Sequence, residues 1–194
     1  MTSVEARAVE KRYYMACLDL EGRNVLVVGG GSVALEKVEG LLTCDARVTV
    51  VAPEIVPELE RPDVVLLRRE YRGDDLAGRF LVVAATSTTA VNRQVFADAE
   101  TRSLLCNVVD VPELCSFILP AVHRVDPIAV AISTGGASPA LAQRLRDEVA
   151  RVVRPEHAVL ARQLREIRPW AKEQFPTYEE RRTFFQDLVE ERLG

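Results

Sequence analysis

From Asn24 onward, short apolar runs alternate with stretches whose apolar residues recur every three or four positions. Asn24–Val28 is a β-branched run that ends in Gly29-Gly30-Gly31, and Ser32–Thr43 carries Ala34, Val38, Leu41 and Leu42 at helical spacing. Arg47–Ala52 and Val64–Arg68 predict a second and a third strand. Phe80–Ala85 predicts a fourth, continuously apolar as befits a strand covered on both faces. Thr88–Arg102 predicts a helix and Leu104–Val109 a fifth strand. Strands alternating with helices imply an α/β fold with a parallel sheet and right-handed crossovers. This first region, 1–112, ends near Pro112.

The pattern then changes. Cys115–Val122 and Ile128–Ser133 are strand-like, and the link His123–Pro127 is too short for a parallel crossover, so a hairpin is expected. Ser138 followed by Pro139 opens a helix, as a favoured N-cap and a favoured first residue. Leu141, Leu145, Val149 and Val152 form its apolar stripe. Hairpin and helix make a second unit, 113–153. The region 154–194 reads as helical, with Leu160, Leu164 and Ile167 on one face. Its last helix starts at Thr177, where Glu180 three residues on completes a capping box, and carries Phe184, Phe185 and Leu188 inward.

Composition narrows the function. Of 194 residues, 48% are hydrophobic, enough for a sizeable core. Lys plus Arg number 25 against 29 Asp plus Glu, and a net charge of -4 argues against a nucleic-acid partner. Cys17, Cys44, Cys106 and Cys115 form no C-x-x-C pair, so neither a zinc ribbon nor a thioredoxin-like motif is present; most read as small buried hydrophobes. No apolar run approaches the roughly 18 residues of a membrane span. Met1–Lys11 lacks an apolar signal core and reads as frayed. A cytoplasmic protein with no membrane partner is expected.

Gly29-x-Gly31-x-x-Ala34 lies between a predicted strand and a predicted helix. Glycines there permit a sharp turn and close approach of the backbone to a pyrophosphate, and Ala34 lets helix and strand pack tightly. The helix start offers free N–H groups and a partial positive charge to phosphates. The strand-end acidic residue that usually holds ribose hydroxyls is missing from Val50-Val51-Ala52-Pro53, unless Glu54 serves one step later. No arginine stands there for a 2′-phosphate, which favours NAD over NADP. Lys37, one turn into the helix, reads equally as a phosphate contact and as a solvated lysine. Asp110 ends the fifth strand, where ligands bind in open α/β sheets. It reads equally as a proton acceptor and as a turn aspartate holding local N–H groups. No residue set has metal-ligand spacing. His123 stands alone in the hairpin link, and His157 is a weaker candidate still.

Several segments together resemble the dehydrogenase part of the sirohaem-synthase family. They are Leu20–Ala34, Ala84-Ala85-Thr86 with Val91-Asn92, Cys106–Asp110, Ser116–Pro120 and Ser133–Ala142, the last being the family's most recognisable motif. Gln174–Thr177 and Glu180–Arg182 add to the likeness, which spans about residues 13–190. Tyr13-Tyr14-Met15 departs from the family in lacking a nearby proline. The resemblance implies a Rossmann-type parallel sheet, a small α+β dimerisation unit and a helical tail, assembled as a homodimer. It implies NAD-dependent oxidation of precorrin-2 to sirohydrochlorin, with insertion of ferrous iron to sirohaem in some members. The methyltransferase domain of some relatives has no counterpart here, so methylation of the precursor is expected on another protein.

By the same resemblance, Asp110 is the catalytic residue. Gly29, Gly30, Gly31, Ser32, Val33, Ala34, Pro53, Glu54 and Thr86 hold the cofactor. Ser133, Thr134, Gly135, Gly136, Ser138 and Arg144 are candidate substrate contacts, with Arg124 and Arg146 as further cations for a polycarboxylate. Thr134 matches a hydroxyl that is phosphorylated in some relatives. Two rival readings stay open: a sirohydrochlorin ferrochelatase that keeps the nucleotide fold as scaffold, and a non-enzymatic nucleotide-sensing module.

Overall fold

The computed structural model describes residues 12–193; the N-terminal residues read as frayed lie outside them. The chain divides into two compact units, the first ending at Leu119 and the second beginning at Pro120.

In the first unit, five strands form one parallel sheet: β1 (Asn24–Val28), β2 (Arg47–Val51), β3 (Val64–Leu67), β4 (Leu81–Ala84) and β5 (Leu105–Val108). Their order is β3-β2-β1-β4-β5, so the chain reverses direction across the sheet between β1 and β4. The two helices are α1 (Ser32–Leu42) and α2 (Thr89–Thr101). The period-2 pattern of the strands explains how both faces are covered. Val25 and Val27 of β1 join Val48, Val50 and Val83 beneath Ala34 and Val38 of α1. Leu26 and Val28 join Val51, Val82 and Ala84 beneath Val95 and Ala99 of α2. Val25, Leu26 and Val27 are wholly buried, as a central parallel strand requires.

One expected strand is not there. Of Cys115–Val122, only the end is strand; Pro112–Leu114 is a 3₁₀ turn and Cys115–Pro120 is irregular. The apolar residues of this run serve the first unit instead. Cys115 and Ile118 pack with the α2-side core, Phe117 with the α1-side core, and the Ser116 N–H donates to the Cys106 carbonyl at 2.8 Å. The first unit therefore runs past the boundary expected at 112.

The second unit starts with an antiparallel hairpin, β6 (Ala121–Val125) and β7 (Ile128–Ile132), turned at Asp126-Pro127 across a cis peptide bond. Three helices follow: α3 (Pro139–Val152), α4 (Pro155–Gln174) and α5 (Tyr178–Leu193). Ser138 caps α3, its Oγ accepting from the Leu141 N–H at 3.2 Å. The capping box before α5 forms as the sequence predicts: Thr177 N–H donates to Glu180 at 3.0 Å and Glu180 N–H to the Thr177 hydroxyl at 3.2 Å. Among the described residues most of the apolar stripe of α3 is left uncovered, with Val149 half-buried. Leu141, Leu145 and Val152 are 50%, 37% and 68% exposed, and Ala142 is the helix's buried residue. Phe184 instead stacks on Phe175 at 4.9 Å between ring centres, beside Trp170 and Phe185. No helix among the described residues is long and apolar enough to cross a membrane.

Candidate nucleotide site and acidic turn

The loop after β1 is held from both sides. The Gly29 N–H donates to the Val51 carbonyl at 3.0 Å, and the Val56 N–H donates to the Gly30 carbonyl at 2.9 Å. On the other side, the Ala85 N–H donates to the Val28 carbonyl at 2.8 Å. This clasp demands glycine at two positions. A Cβ on Gly29, whose φ is +126°, would lie 2.3 Å from the Ala85 carbonyl oxygen, and one on Gly30 would lie 2.1 Å from that of Glu54. Gly31 differs: a Cβ there would meet nothing within 4 Å. Its backbone is extended, at φ -91° and ψ -170°, a shape any residue adopts. Space beside Gly31, not backbone geometry, is what glycine provides at that position.

Gly31 is also the N-cap of α1. No side chain caps this helix and its first turn holds no acid. The leading N–H groups therefore lack internal partners, and the helix dipole favours an anion beside them. Ser32 and Val33 are exposed and Ala34 is fully buried against β1, the division a phosphate-binding turn requires. These features suit a dinucleotide pyrophosphate. Pro53 and Glu54 are exposed at the end of β2, and the Glu54 backbone abuts Gly30. Thr86, at the end of β4, accepts the Thr88 N–H at 2.8 Å through its hydroxyl. Lys37 lies 2.7 Å from Glu36 in an exposed pair, so its charge is already partnered.

Asp110 follows β5 on the same carboxyl edge of the sheet. The Val109 N–H donates to the Ala84 carbonyl at 2.9 Å, joining its turn to β4. The Val111 N–H closes the turn on the Val108 carbonyl at 3.2 Å, and Asp110 takes a left-handed conformation, φ +61°. Its carboxylate is exposed and accepts no hydrogen bond among the described residues. A turn aspartate of the ordinary kind would hold a nearby N–H. Beside the turn lies a cavity of ≈ 380 Å³ lined by Thr89, Asn92, Arg93, Val111, Glu113 and Leu114. A concavity of ≈ 440 Å³ at the amino-terminal ends of β2 and β3, lined by Arg47 and Asp63, touches none of these loops.

In the second unit, Ser133–Ser138 forms a self-contained loop. The Gly135 N–H donates to the Ser133 hydroxyl at 3.1 Å, and the Thr134 hydroxyl accepts from Ser138 N–H and donates to its carbonyl, both at 3.1 Å. Gly135 and Gly136 have φ of +64° and +89°. Arg144 bonds Glu148 at 2.8 Å, Arg146 bonds Asp147 at 2.6 Å and Arg124 lies 3.6 Å from Asp126. His123 is half-buried, its Nε2 donating to the Val153 carbonyl at 2.8 Å, and His157 caps α4 through the Arg154 N–H. Both histidines have structural partners. Among the described residues no group of three His, Cys, Asp or Glu could hold a metal ion.

Two residues escaped the sequence reading. Asn92 is 7% exposed in the buried phase of α2, with Val95 and Ala99, and its Nδ2 donates to the Thr86 carbonyl at 2.9 Å. A polar residue in an apolar phase was the available signal. Cys115, read as a small hydrophobe, is a buried hydrogen-bonding group, and nothing in the residues around it marks it as one.

A parallel sheet in the order β3-β2-β1-β4-β5, with a glycine loop where the winding reverses, defines a dinucleotide-binding Rossmann protein. A family model described as NAD(P)-binding matches residues 16–121, and one described as sirohaem biosynthesis protein central matches 125–151. The chain is 40% identical over 187 residues to a siroheme synthase of Mannheimia succiniciproducens, covering 94% of this chain and 39% of that protein. It is 40% identical over 178 residues to a siroheme synthase of Ectopseudomonas mendocina, covering 90% and 38%. Among solved structures, SirC, a precorrin-2 dehydrogenase, aligns with a TM-score of 0.77 at 28% identity, covering 91% of this chain and 89% of that one. The chain belongs to the family whose NAD(P)-binding model it matches over more than half of its length. It spans less than two-fifths of the length of these curated siroheme synthases.

Proposed function

We propose that this chain is an NAD-dependent dehydrogenase that oxidises precorrin-2 to sirohydrochlorin. The observation that carries the reading is the placement of an open glycine turn and an unpartnered carboxylate on one carboxyl edge of the sheet: Gly31 at the start of α1 and Asp110 after β5. Its similarity to SirC, at nine-tenths coverage of both chains, supports the same substrate.

When bound, NAD accepts a hydride from the macrocycle; the chain's own groups supply the rest. The leading N–H groups of α1 hold the pyrophosphate, with Ser32 and Val33 beside it. Pro53, Glu54 and Thr86 line the flanks of the cofactor. The absence of an arginine after β2 supports NAD over NADP. Removing a hydride leaves a cationic macrocycle that must release a proton, and Asp110 is the acceptor. Ser133, Thr134, Gly135, Gly136, Ser138 and Arg144 are proposed as substrate contacts, the arginine exchanging Glu148 for a substrate carboxylate.

The open α3 stripe supports a homodimer formed through 113–153. The free thiols of Cys17, Cys44 and Cys106 support a reducing, cytoplasmic setting. Mixing purified protein with precorrin-2 and NAD tests the reading by absorbance. NADH and sirohydrochlorin should appear in equal amounts. Protein that binds NAD but forms no NADH on adding precorrin-2 would overturn it. Repeating the assay from sirohydrochlorin with ferrous iron as substrate tests for metal insertion.

A further inference from the structure

Asp110 sits on a loop that leaves β5 and returns to it, and one buried side chain ties that loop at both ends. The Cys115 sulfur, 5% exposed as a residue, accepts the Val108 N–H at 3.3 Å and the Asn107 Nδ2 at 3.6 Å. Its S–H lies within reach of two carbonyls, Val108 at 3.2 Å and Val111 at 3.3 Å. Val108 stands two residues before Asp110 and Val111 one residue after it. The returning segment is fixed further by the two residues that follow the thiol. Ser116 Oγ accepts the Cys106 N–H at 2.7 Å, and Asn107 Nδ2 donates to the Phe117 carbonyl at 2.9 Å.

We propose that Cys115 is a positioning residue that acts through Asp110, its sulfur fastening the left-handed turn that aims the carboxylate. Three observations favour this over simple space-filling. The thiol bonds the backbone on both sides of the turn. Among the described residues the carboxylate has no hydrogen bond of its own to hold it. Its backbone is left-handed, φ +61°, a region that residues with side chains populate sparsely, and bonds from outside the turn help to hold it there. Alanine has no atom to reach any of these groups. Serine keeps a donor and an acceptor, though with a shorter reach. A displacement of about 1 Å at a reacting group is worth up to about 10²-fold in rate.

The inference rests on the proposed role of Asp110, and a double-mutant cycle separates the two. Cys115→Ala should lower kcat at least tenfold with KM for NAD and for precorrin-2 within twofold of wild type. Cys115→Ser should recover most of the loss. In the Asp110→Asn background, Cys115→Ala should cost less than threefold more, because the group through which it acts is already gone. A full additional loss in that background, or unchanged kcat in Cys115→Ala alone, overturns the positioning role while leaving Asp110 intact. Full activity in Asp110→Asn overturns the acid–base reading itself. If Cys115→Ala folds poorly, Cys115→Ser carries the test. A kcat loss that tracks its melting temperature, with KM rising in step, would mark a structural thiol and reject the proposal.

Discussion

Asn92 Nδ2 donates to the Thr86 carbonyl at 2.9 Å, while the Oδ1 of the same amide is buried without a partner among the described residues. An orphaned buried acceptor costs about 1–3 kcal/mol, more than the single bond made by Nδ2 returns. Leucine has nearly the same shape and neither polar atom. Asn92→Leu should therefore keep or raise the melting temperature. It should release the Thr86 turn and weaken NAD by about tenfold, or about 1.4 kcal/mol. Thermal unfolding and calorimetric titration check the two halves; a variant that loses stability and keeps its NAD affinity reverses the assignment.

The glycine loop offers a contrast between neighbours. Gly31→Val places its side chain in open space on extended backbone, so the fold should hold while NAD affinity falls at least tenfold, about 1.4 kcal/mol. Gly30→Ala drives a methyl group to 2.1 Å from the Glu54 carbonyl and should destabilise the protein with or without nucleotide. Unchanged NAD affinity in folded Gly31→Val would exclude this turn as the pyrophosphate site.

Asp110→Asn keeps the shape and suits a left-handed turn, so the fold and NAD affinity should persist. It cannot take up a proton, and turnover should fall by about 10²–10⁴-fold. Steady-state kinetics with precorrin-2 decide this. If ferrous iron is also a substrate, the loss should extend to its insertion.

Asp75 accepts two bonds from Arg69, at 2.9 and 2.6 Å, and the Arg72 N–H at 2.9 Å. The guanidinium holds this carboxyl below its ordinary pKa, outweighing burial. A depressed folded-state pKa contributes stability above the unfolded value and loses it as pH falls through the folded value. Asp75→Asn should cost about 1.5–3 kcal/mol at neutral pH. Denaturant titrations should show the gap to wild type closing once the pH drops below the ordinary carboxylate range; a constant gap would contradict the linkage.

Leu145→Glu puts a charge into the open stripe of α3. Sedimentation at micromolar concentration should give a dimer for the wild-type chain and a monomer for this variant, with NAD affinity retained. A monomeric wild type would remove the dimer from the proposal.

The sheet was legible because each strand is a buried run and the glycine loop marks where the first one stops. The Thr177–Glu180 box and the Ser138 cap were legible for a similar reason: both are local. What escaped depends on contacts distant in sequence. Cys115–Val122 has the composition of a strand, yet Ser116 and Asn107 bind it back onto the first unit, which local pattern does not encode. The α3 stripe is correctly periodic, but periodicity does not say what covers it. At Asp110 the residue type left two roles level; the carboxylate's lack of any local N–H partner is a fact of three dimensions.

The glycine loop hangs directly from β1, the strand paired on both sides and buried along almost its whole length. Backbone hydrogen bonds from Gly29, Val56 and Ala85 tie the loop to its neighbours, so binding should have little ordering entropy to overcome. Binding of NAD to the pyrophosphate turn should be a lock on a rigid frame, with amide hydrogens of β1 exchanging equally slowly in the free and bound protein.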